Sequence, residues 1–327
     1  MTVDVQEIEE AHDRVKPFIH KTPIMTSETF DKLFAAGKKV YFKCENLQKT
    51  GSFKIRGAMN SVLKLKEENP NATCVMTRSS GNFGGGLAYA ARLHNLECHV
   101  LSPSTGSQIK RKCAQEYGAK VSLYDGSFKE SQRDSMIEQI QKETGAHFIA
   151  SSAQESTMCG QGTVGLEILD QVPDVDAVIL PCGGGGLLGG SATALKSRNP
   201  KIKIYGVEHG NATNAKLSFD QKRLTQPESL PKTLCDGLGN TTLSDLTFDH
   251  ILKYVDDVIS VPDEETAKAV KFIMYRMKIA VEPSAAIAAA VLMNPENIEK
   301  YFKDCKNIVV VLSGGNFDYI NHAAMLL

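Results

Sequence analysis

Directly after the apolar run Ala177–Leu180 stands Gly183-Gly184-Gly185-Gly186-Leu187-Leu188-Gly189-Gly190. Glycines let a backbone turn sharply and bring several N–H groups onto one anion. A helix expected from Leu187 to about Ser197 would point its positive end at the same place. A phosphate group fits that arrangement. A strand-to-helix turn that needs glycine only for close packing is the alternative, but four consecutive glycines exceed what such a turn needs. Gly184, Gly186 and Gly189 also satisfy G-x-G-x-x-G, and Glu208 closes the next expected strand 19 residues later, placed to hold a ribose hydroxyl. A glycine tract meets many glycine patterns by chance, which leaves that dinucleotide reading weak.

Three further segments carry chemistry. In Glu45-Asn46-Leu47-Gln48-Lys49-Thr50-Gly51-Ser52-Phe53-Lys54-Ile55-Arg56-Gly57-Ala58, a strand ends near Glu45 and a helix begins near Lys54. The positive helix end and partial burial both disfavour an ammonium there and lower its pKa. A lysine so tuned can form a Schiff base with an aldehyde cofactor. On this segment alone, one more solvated surface lysine is the simpler reading. Thr77-Arg78-Ser79-Ser80-Gly81-Asn82-Phe83-Gly84-Gly85-Gly86 offers hydroxyls, an amide and freed N–H groups suited to a carboxylate. Ser313-Gly314-Gly315-Asn316 follows the apolar run Ile308–Leu312. Each is singly an ordinary polar turn. Together they put polar, glycine-rich turns after at least four strands, where α/β folds place ligands.

The elements that would position these turns are legible. Apolar runs at 40–44, 74–77, 98–101, 177–180, 202–207 and 308–312 read as strands, and the last lacks alternation, as a strand covered on both faces does. Helical stretches at 85–94, 107–117, 127–144, 264–277 and an Ala-rich stretch at 284–293 lie between or after them. Strand–helix alternation of this kind indicates an α/β protein with mostly parallel sheets flanked by helices. Residues 71–151 form a β-α-β-α-β-α-β run that could make its own small sheet.

Composition narrows the rest. The 327 residues suggest two domains or one large one. Thirty-seven Lys+Arg against 38 Asp+Glu argue against a nucleic-acid partner. The eight cysteines are never closer than 15 residues apart, so no CxxC metal or redox pair is expected. The start of the chain has an acid at Asp4 and no basic-then-apolar leader, which makes reduced thiols in a cytoplasmic protein the expectation. Ala177–Leu195 is uncharged over 19 residues but holds Pro181 and six glycines, so it reads as strand, loop and helix with no membrane implied. Neither H-E-x-x-H nor G-x-S-x-G occurs, which removes the zinc-protease and α/β-hydrolase readings.

Taken together, the four segments resemble the fold-type II pyridoxal-phosphate enzymes over nearly the whole chain, in particular the serine racemase and serine/threonine dehydratase branch. The Thr-Gly-Ser-Phe-Lys-x-Arg-Gly-Ala form at 50–58 carries this, since the cysteine-synthase branch usually shows Lys-Asp-Arg. The resemblance implies a two-domain, tryptophan synthase β-like fold. A large pyridoxal-phosphate domain would comprise 1–70 plus 152–327, and a small mobile domain 71–151. It implies Lys54 as the Schiff-base lysine with Phe53 beside the ring, and Asn82 at the phenolic oxygen. Gly183, Gly184, Gly185 and Gly186 would cradle the phosphate, with Ser313 at the pyridine nitrogen. Ser79, Ser80, Gly81, Asn82 and Phe83 would meet the substrate, and Lys54 and Ser80 would be acid/bases on opposite faces of it.

The implied reactions are interconversion of L- and D-serine or a related amino acid, and loss of water from L-serine or L-threonine to give a keto acid and ammonia. A dehydratase without racemase activity and a silent cofactor-binding paralogue are the alternatives, and a homodimer is expected. A Mg2+ or Ca2+ site would use Glu208, Ala212 and Asn214, with an amide where the branch has an aspartate. Lys110 and Tyr117 match positions tied to a nucleotide activator, where Gly85 replaces a glutamine. Phe83 stands where histidine is usual, Ala153 where asparagine is common and Asn240 near a usual serine, so a shifted substrate preference is expected.

Overall fold

The computed structural model describes residues 2–210, 214–226, 232–239, 242–320, 322 and 324. The chain opens with α1 (Val5–Val15), β1 (Ile24–Thr26), α2 (Glu28–Phe34), β2 (Lys39–Cys44) and α3 (Lys54–Glu68). There follow β3 (Cys74–Arg78), α4 (Asn82–Leu93), β4 (Glu97–Pro103), α5 (Gln108–Glu116), β5 (Lys120–Tyr124), α6 (Glu130–Thr144) and β6 (His147–Phe148). Then come α7 (Glu155–Gln171), β7 (Ala177–Pro181), α8 (Gly186–Arg198), β8 (Lys203–His209), α9 (Asn214–Gln221) and α10 (Asp245–Tyr254). The last elements are β9 (Asp257–Val261), α11 (Asp263–Phe272), α12 (Pro283–Met293), α13 (Pro295–Tyr301) and β10 (Asn307–Leu312).

These strands form two sheets, one ordered β1-β2-β10-β7-β8-β9 and one ordered β5-β4-β3-β6. Every pairing is parallel except β1 with β2. The mixed α/β class read from alternation is therefore the class observed, and the run 71–151 does make a sheet of its own. In β10, Ile308, Val310 and Leu312 enter one hydrophobic cluster with α12, while Val309 and Val311 enter another with α7 and α8. Alternate side chains of a strand point to opposite faces, so a sheet covered by helices on both sides needs an unbroken apolar strand. α12 is buried along almost its whole length inside this chain, which settles where its alanines pack.

Some boundaries move for local reasons. α6 starts three residues later than read, because Asp125 accepts from the backbone and hydroxyl of Ser127 and holds a turn there. α4 starts earlier, at Asn82, and runs through Gly84–Gly86 despite their poor helix propensity. At Gly86 a Cβ would stand 3.2 Å from the backbone nitrogen of Ile55, so glycine lets α4 press onto the first turn of α3. α3 lies outside 71–151 in sequence, yet Ile55, Met59 and Val62 share one core cluster with Val75, Leu87 and Val100. α11 continues as a π-turn at Ile273–Met277 that Lys278 ends at φ +60°.

Arg56, fully buried two residues after Lys54, anchors α3. Its Nε and Nη2 donate to Glu45 at 2.7 and 2.8 Å, and its Nη1 and Nη2 donate to Glu167 at 2.8 Å each. Lys43 Nζ reaches Glu167 at 2.5 Å and the Thr22 carbonyl at 2.9 Å. Two cations and two carboxylates thus balance inside the protein, and bidentate geometry satisfies the guanidinium. Arg56→Ala leaves an excess buried negative charge, and we expect it to cost about 3–5 kcal/mol, read from urea unfolding of the purified protein. A loss below about 1 kcal/mol would show that the clamp is dispensable.

Candidate active site

Lys54 is the first residue of α3, and its side chain is only partly exposed. Its Nζ makes one long hydrogen bond, 3.4 Å to the Ser151 carbonyl, and lies 5.0 Å from the Phe53 ring centroid and 6.0 Å from that of Phe83. Desolvation lowers the amine to about 8, with the negative charge of Glu282 opposing the shift. A lysine that is weakly hydrogen-bonded and neutral near physiological pH is a nucleophile and a base.

The other turns converge on it. Phe53 N donates to the Ser313 carbonyl at 3.1 Å, and Ser52 pairs with Gly314 in an isolated bridge, which ties the start of α3 to the end of β10. Asn316 Nδ2 donates to the Thr50 carbonyl at 2.8 Å and to Asn82 Oδ1 at 2.9 Å. Asn82 Nδ2 in turn donates to Glu282 Oε1 at 2.7 Å. The Ser313 hydroxyl contacts the Ser284 carbonyl at 3.4 Å, and Ser284 Oγ accepts from Gly237 N at 2.9 Å.

Gly183, Gly184, Gly185 and Gly186 form the turn into α8, whose N-cap Gly185 has φ +83° and no side-chain cap. A Cβ at Gly185 would sit 2.8 Å from Thr247 Cβ, and one at Gly186 would meet Ser152 at 3.4 Å. The turn is therefore a bare cradle of backbone at a helix N-terminus, one residue along from the carbonyl that holds Lys54.

Sequence reading missed Glu282 and Asp236. Glu282 is buried, and burial pushes its carboxyl up while Lys110 at 2.7 Å and Asn82 pull it down. Lys110 Nζ also donates to both oxygens of Asp236 at 2.8 Å, and these two carboxylates hold its ammonium on balance despite burial. Glu282 precedes Pro283 at the start of α12, a helix-entry signal with nothing in it to announce contact with residues 172 and 200 positions away.

The expected substrate residues behave differently from one another. The Ser79 hydroxyl accepts from Gly81 N and Gly84 N at 3.2 Å each, so it braces the entry to α4. Gly81 is the N-cap of that helix. Ser80 is exposed. Phe83 is buried, at 1% exposure, in the core beside Ile55 and Leu87, and forms a wall behind Lys54. Ala153 is exposed, and Asn240 lies outside the described residues.

Glu208 ends β8 with both oxygens engaged: Oε2 accepts from Ala215 N and Oε1 from Lys216 N, each at 3.0 Å, which caps α9. That occupies it against the ribose contact the dinucleotide pattern would need. Asn214 Oδ1 also contacts Ala215 N at 2.9 Å, and Ala212 lies outside the described residues. One satisfied carboxylate and one neutral amide are a poor fit to Mg2+ or Ca2+, which favour charged oxygen ligands.

The family model for pyridoxal-phosphate dependent enzymes matches residues 15–314, and the chain belongs to that family. It is 40% identical to a serine racemase of Dictyostelium discoideum over 318 residues, covering 97% of this chain and 96% of the relative. A solved pyridoxal 5'-phosphate-dependent aspartate racemase superposes at TM-score 0.92 with 33% identity, covering 97% of this chain and 96% of that one. A solved bacterial-type threonine deaminase from T.th. superposes at 0.87 with 35% identity, covering 96% and 99%.

Gly185→Ala tests the cradle. The left-handed backbone and the Thr247 contact are expected to cost about 1–3 kcal/mol, seen as a lower thermal midpoint, together with weaker pyridoxal-phosphate retention on dialysis. Unchanged retention would detach this turn from cofactor binding.

Proposed function

We propose that this protein racemises serine or a related amino acid and eliminates water from β-hydroxy amino acids such as L-serine and L-threonine. The carrying observation is the desolvated Lys54 amine, with its one long hydrogen bond, among the Asn82, Gly183–Gly186 and Ser313 turns. The cradle's space for backbone alone and the unsaturated amine suit the cofactor. In this reading the Gly183–Gly186 amides and the N-terminus of α8 hold its phosphate. Phe53 packs beside its ring, Asn82 donates toward its phenolic oxygen, and Ser313 faces its ring nitrogen. When bound, pyridoxal phosphate supplies the electron sink that makes loss of the substrate's α-proton accessible.

Lys54 takes that proton on one face when neutral, and Ser80 serves the opposite face. Ser80 stands exposed, so its part requires residues 71–151 to close over the large body 1–70 plus 152–327. The Lys110–Asp236 and Asn82–Glu282 contacts cross between those bodies and support such a closure. Closure would also exclude water and strengthen each polar contact. Lys110 is already held by two carboxylates, so a nucleotide at Lys110 and Tyr117 would have to displace them.

Relatives of near-equal similarity are named for racemases of two different amino acids and for a deaminase, so substrate choice rests on local side chains. Phe83 in the wall behind Lys54 favours a preference shifted from serine. A homodimer rests on the resemblance alone, because α12 is consumed within the chain. The eight cysteines, all unpaired, support a cytoplasmic setting. No described helix is long and apolar enough to cross a membrane.

A panel of L- and D-amino acids, with both keto acid and product enantiomer measured, decides the reaction. Turnover of several substrates supports the reading; efficient, exclusive turnover of L-serine removes the argument from Phe83; a yellow protein inert to all of them supports the silent paralogue. Covalent capture of pyridoxal phosphate by the apoprotein should accelerate as pH rises through about 8, because burial lowers the Lys54 amine and only its neutral form attacks. After borohydride reduction the adduct should map to Lys54 and vanish in Lys54→Ala.

A further inference from the structure

At the start of β3, the end opposite the Ser79–Ser80 turn, three ligand-bearing side chains meet. In the β3–β4 register Cys74 pairs with Glu97 and Met76 with His99, so Cys74, Glu97 and His99 share one face of the small sheet. The sulfur, a carboxylate oxygen and an imidazole nitrogen all lie within 4.8 Å of one another. His99 Nε2 is 2.6 Å from Glu97 Oε1, and Lys120 Nζ, on the neighbouring start of β5, is 2.6 Å from the same oxygen. Cys74 is buried, and its Sγ has only a 4.0 Å approach to the Val75 carbonyl. The carboxylate opens the cluster to solvent.

We infer that this cluster is a binding site for a divalent transition metal of the zinc class, separate from the cofactor site. A thiolate and a carboxylate bring two negative charges, which one dication neutralises, and a neutral imidazole completes three ligands. The Cys74 proton leaves to solvent as the metal–sulfur bond forms, and the Lys120 ammonium swings out to water. Thiolate with imidazole selects zinc-like ions over Mg2+ and Ca2+. Metal–ligand bonds of about 2.0–2.3 Å place tetrahedral ligand atoms roughly 3.3–3.8 Å apart. The Glu97–His99 contact therefore has to open and the widest separation to close by about 1 Å, changes that side-chain rotation supplies. Three protein ligands leave the fourth position to water. The bound ion would pin β3 to β4 at their starts and stiffen the body that carries Ser80.

The test uses the holoenzyme, freed of metal by a chelator and then titrated with Co2+ as the probe. One cobalt per chain is expected, with intense tetrahedral absorption in the red, beyond the bands of pyridoxal phosphate. Zn2+ should abolish that absorption by displacement and raise the thermal midpoint. Cys74→Ala should remove the red absorption, and His99→Gln and Glu97→Gln should weaken binding at least about tenfold. Lys120→Met, which removes the competing cation, should tighten it. Glu97 and Lys120 are exposed enough that these two variants remain informative if Cys74→Ala does not fold. A stoichiometric titration without tetrahedral bands, or bands unchanged in Glu97→Gln and His99→Gln, overturns the inference and leaves a hydrogen-bonded ion triad.

Discussion

A guanidinium without access to water, gripped by two carboxylates, decides where the reactive amine of this protein can be. Arg56 is one helical turn's reach from Lys54, and its bonds to Glu45 and Glu167 tie α3 to the end of β2 and to α7 at once. The N-cap of α3 is Phe53, which has no side-chain oxygen to offer the helix. The entry to α3 is held instead by the Arg56 clamp, by the backbone bond from Phe53 to Ser313, and by the close approach of α4 that Gly86 permits. Buried ion clusters are poor sources of net stability, since desolvation offsets most of their attraction. Their use here is positional: any shift of the helix start would strand charge.

The electrostatics of the site follow from the same economy of water. Desolvation brings the Lys54 amine down, and the nearby Glu282 charge limits how far. Glu282 is itself kept in check by Lys110, and Lys110 by Asp236. Each group in this chain compensates its neighbour, so the polar content of the cleft extends from the amine to the far side of the 71–151 segment. Chemistry at Lys54 and contact between the two bodies are thus linked through one set of buried charges.

Two metal readings separate by ligand chemistry. Glu208 and Asn214 are hard oxygen donors, and the carboxylate is already spent on capping α9. Cys74, Glu97 and His99 are mixed in softness and sit on adjacent strands whose register is set by the backbone. A resemblance at the level of family pointed to the first. Strand pairing alone exposed the second.

What the residues determined by themselves was local. An apolar run such as Ile308–Leu312 can only be a strand covered on both faces, and four glycines before a helix can only make a bare turn. The Lys54 segment likewise carried its own pattern. β9 was harder to see, because Asp257 and Ser260 dilute Val258, Ile259 and Val261, and β1 spans only three residues. The tertiary structure decided everything that needs two distant segments. It brought Glu282 to Asn82 and Lys110, buried Phe83 behind the lysine, and turned Glu208 and Ser79 into helix braces. The reason is physical: a side chain's type fixes which partners it can accept. Its charge state, exposure and contacts depend on how much water the whole fold removes around it.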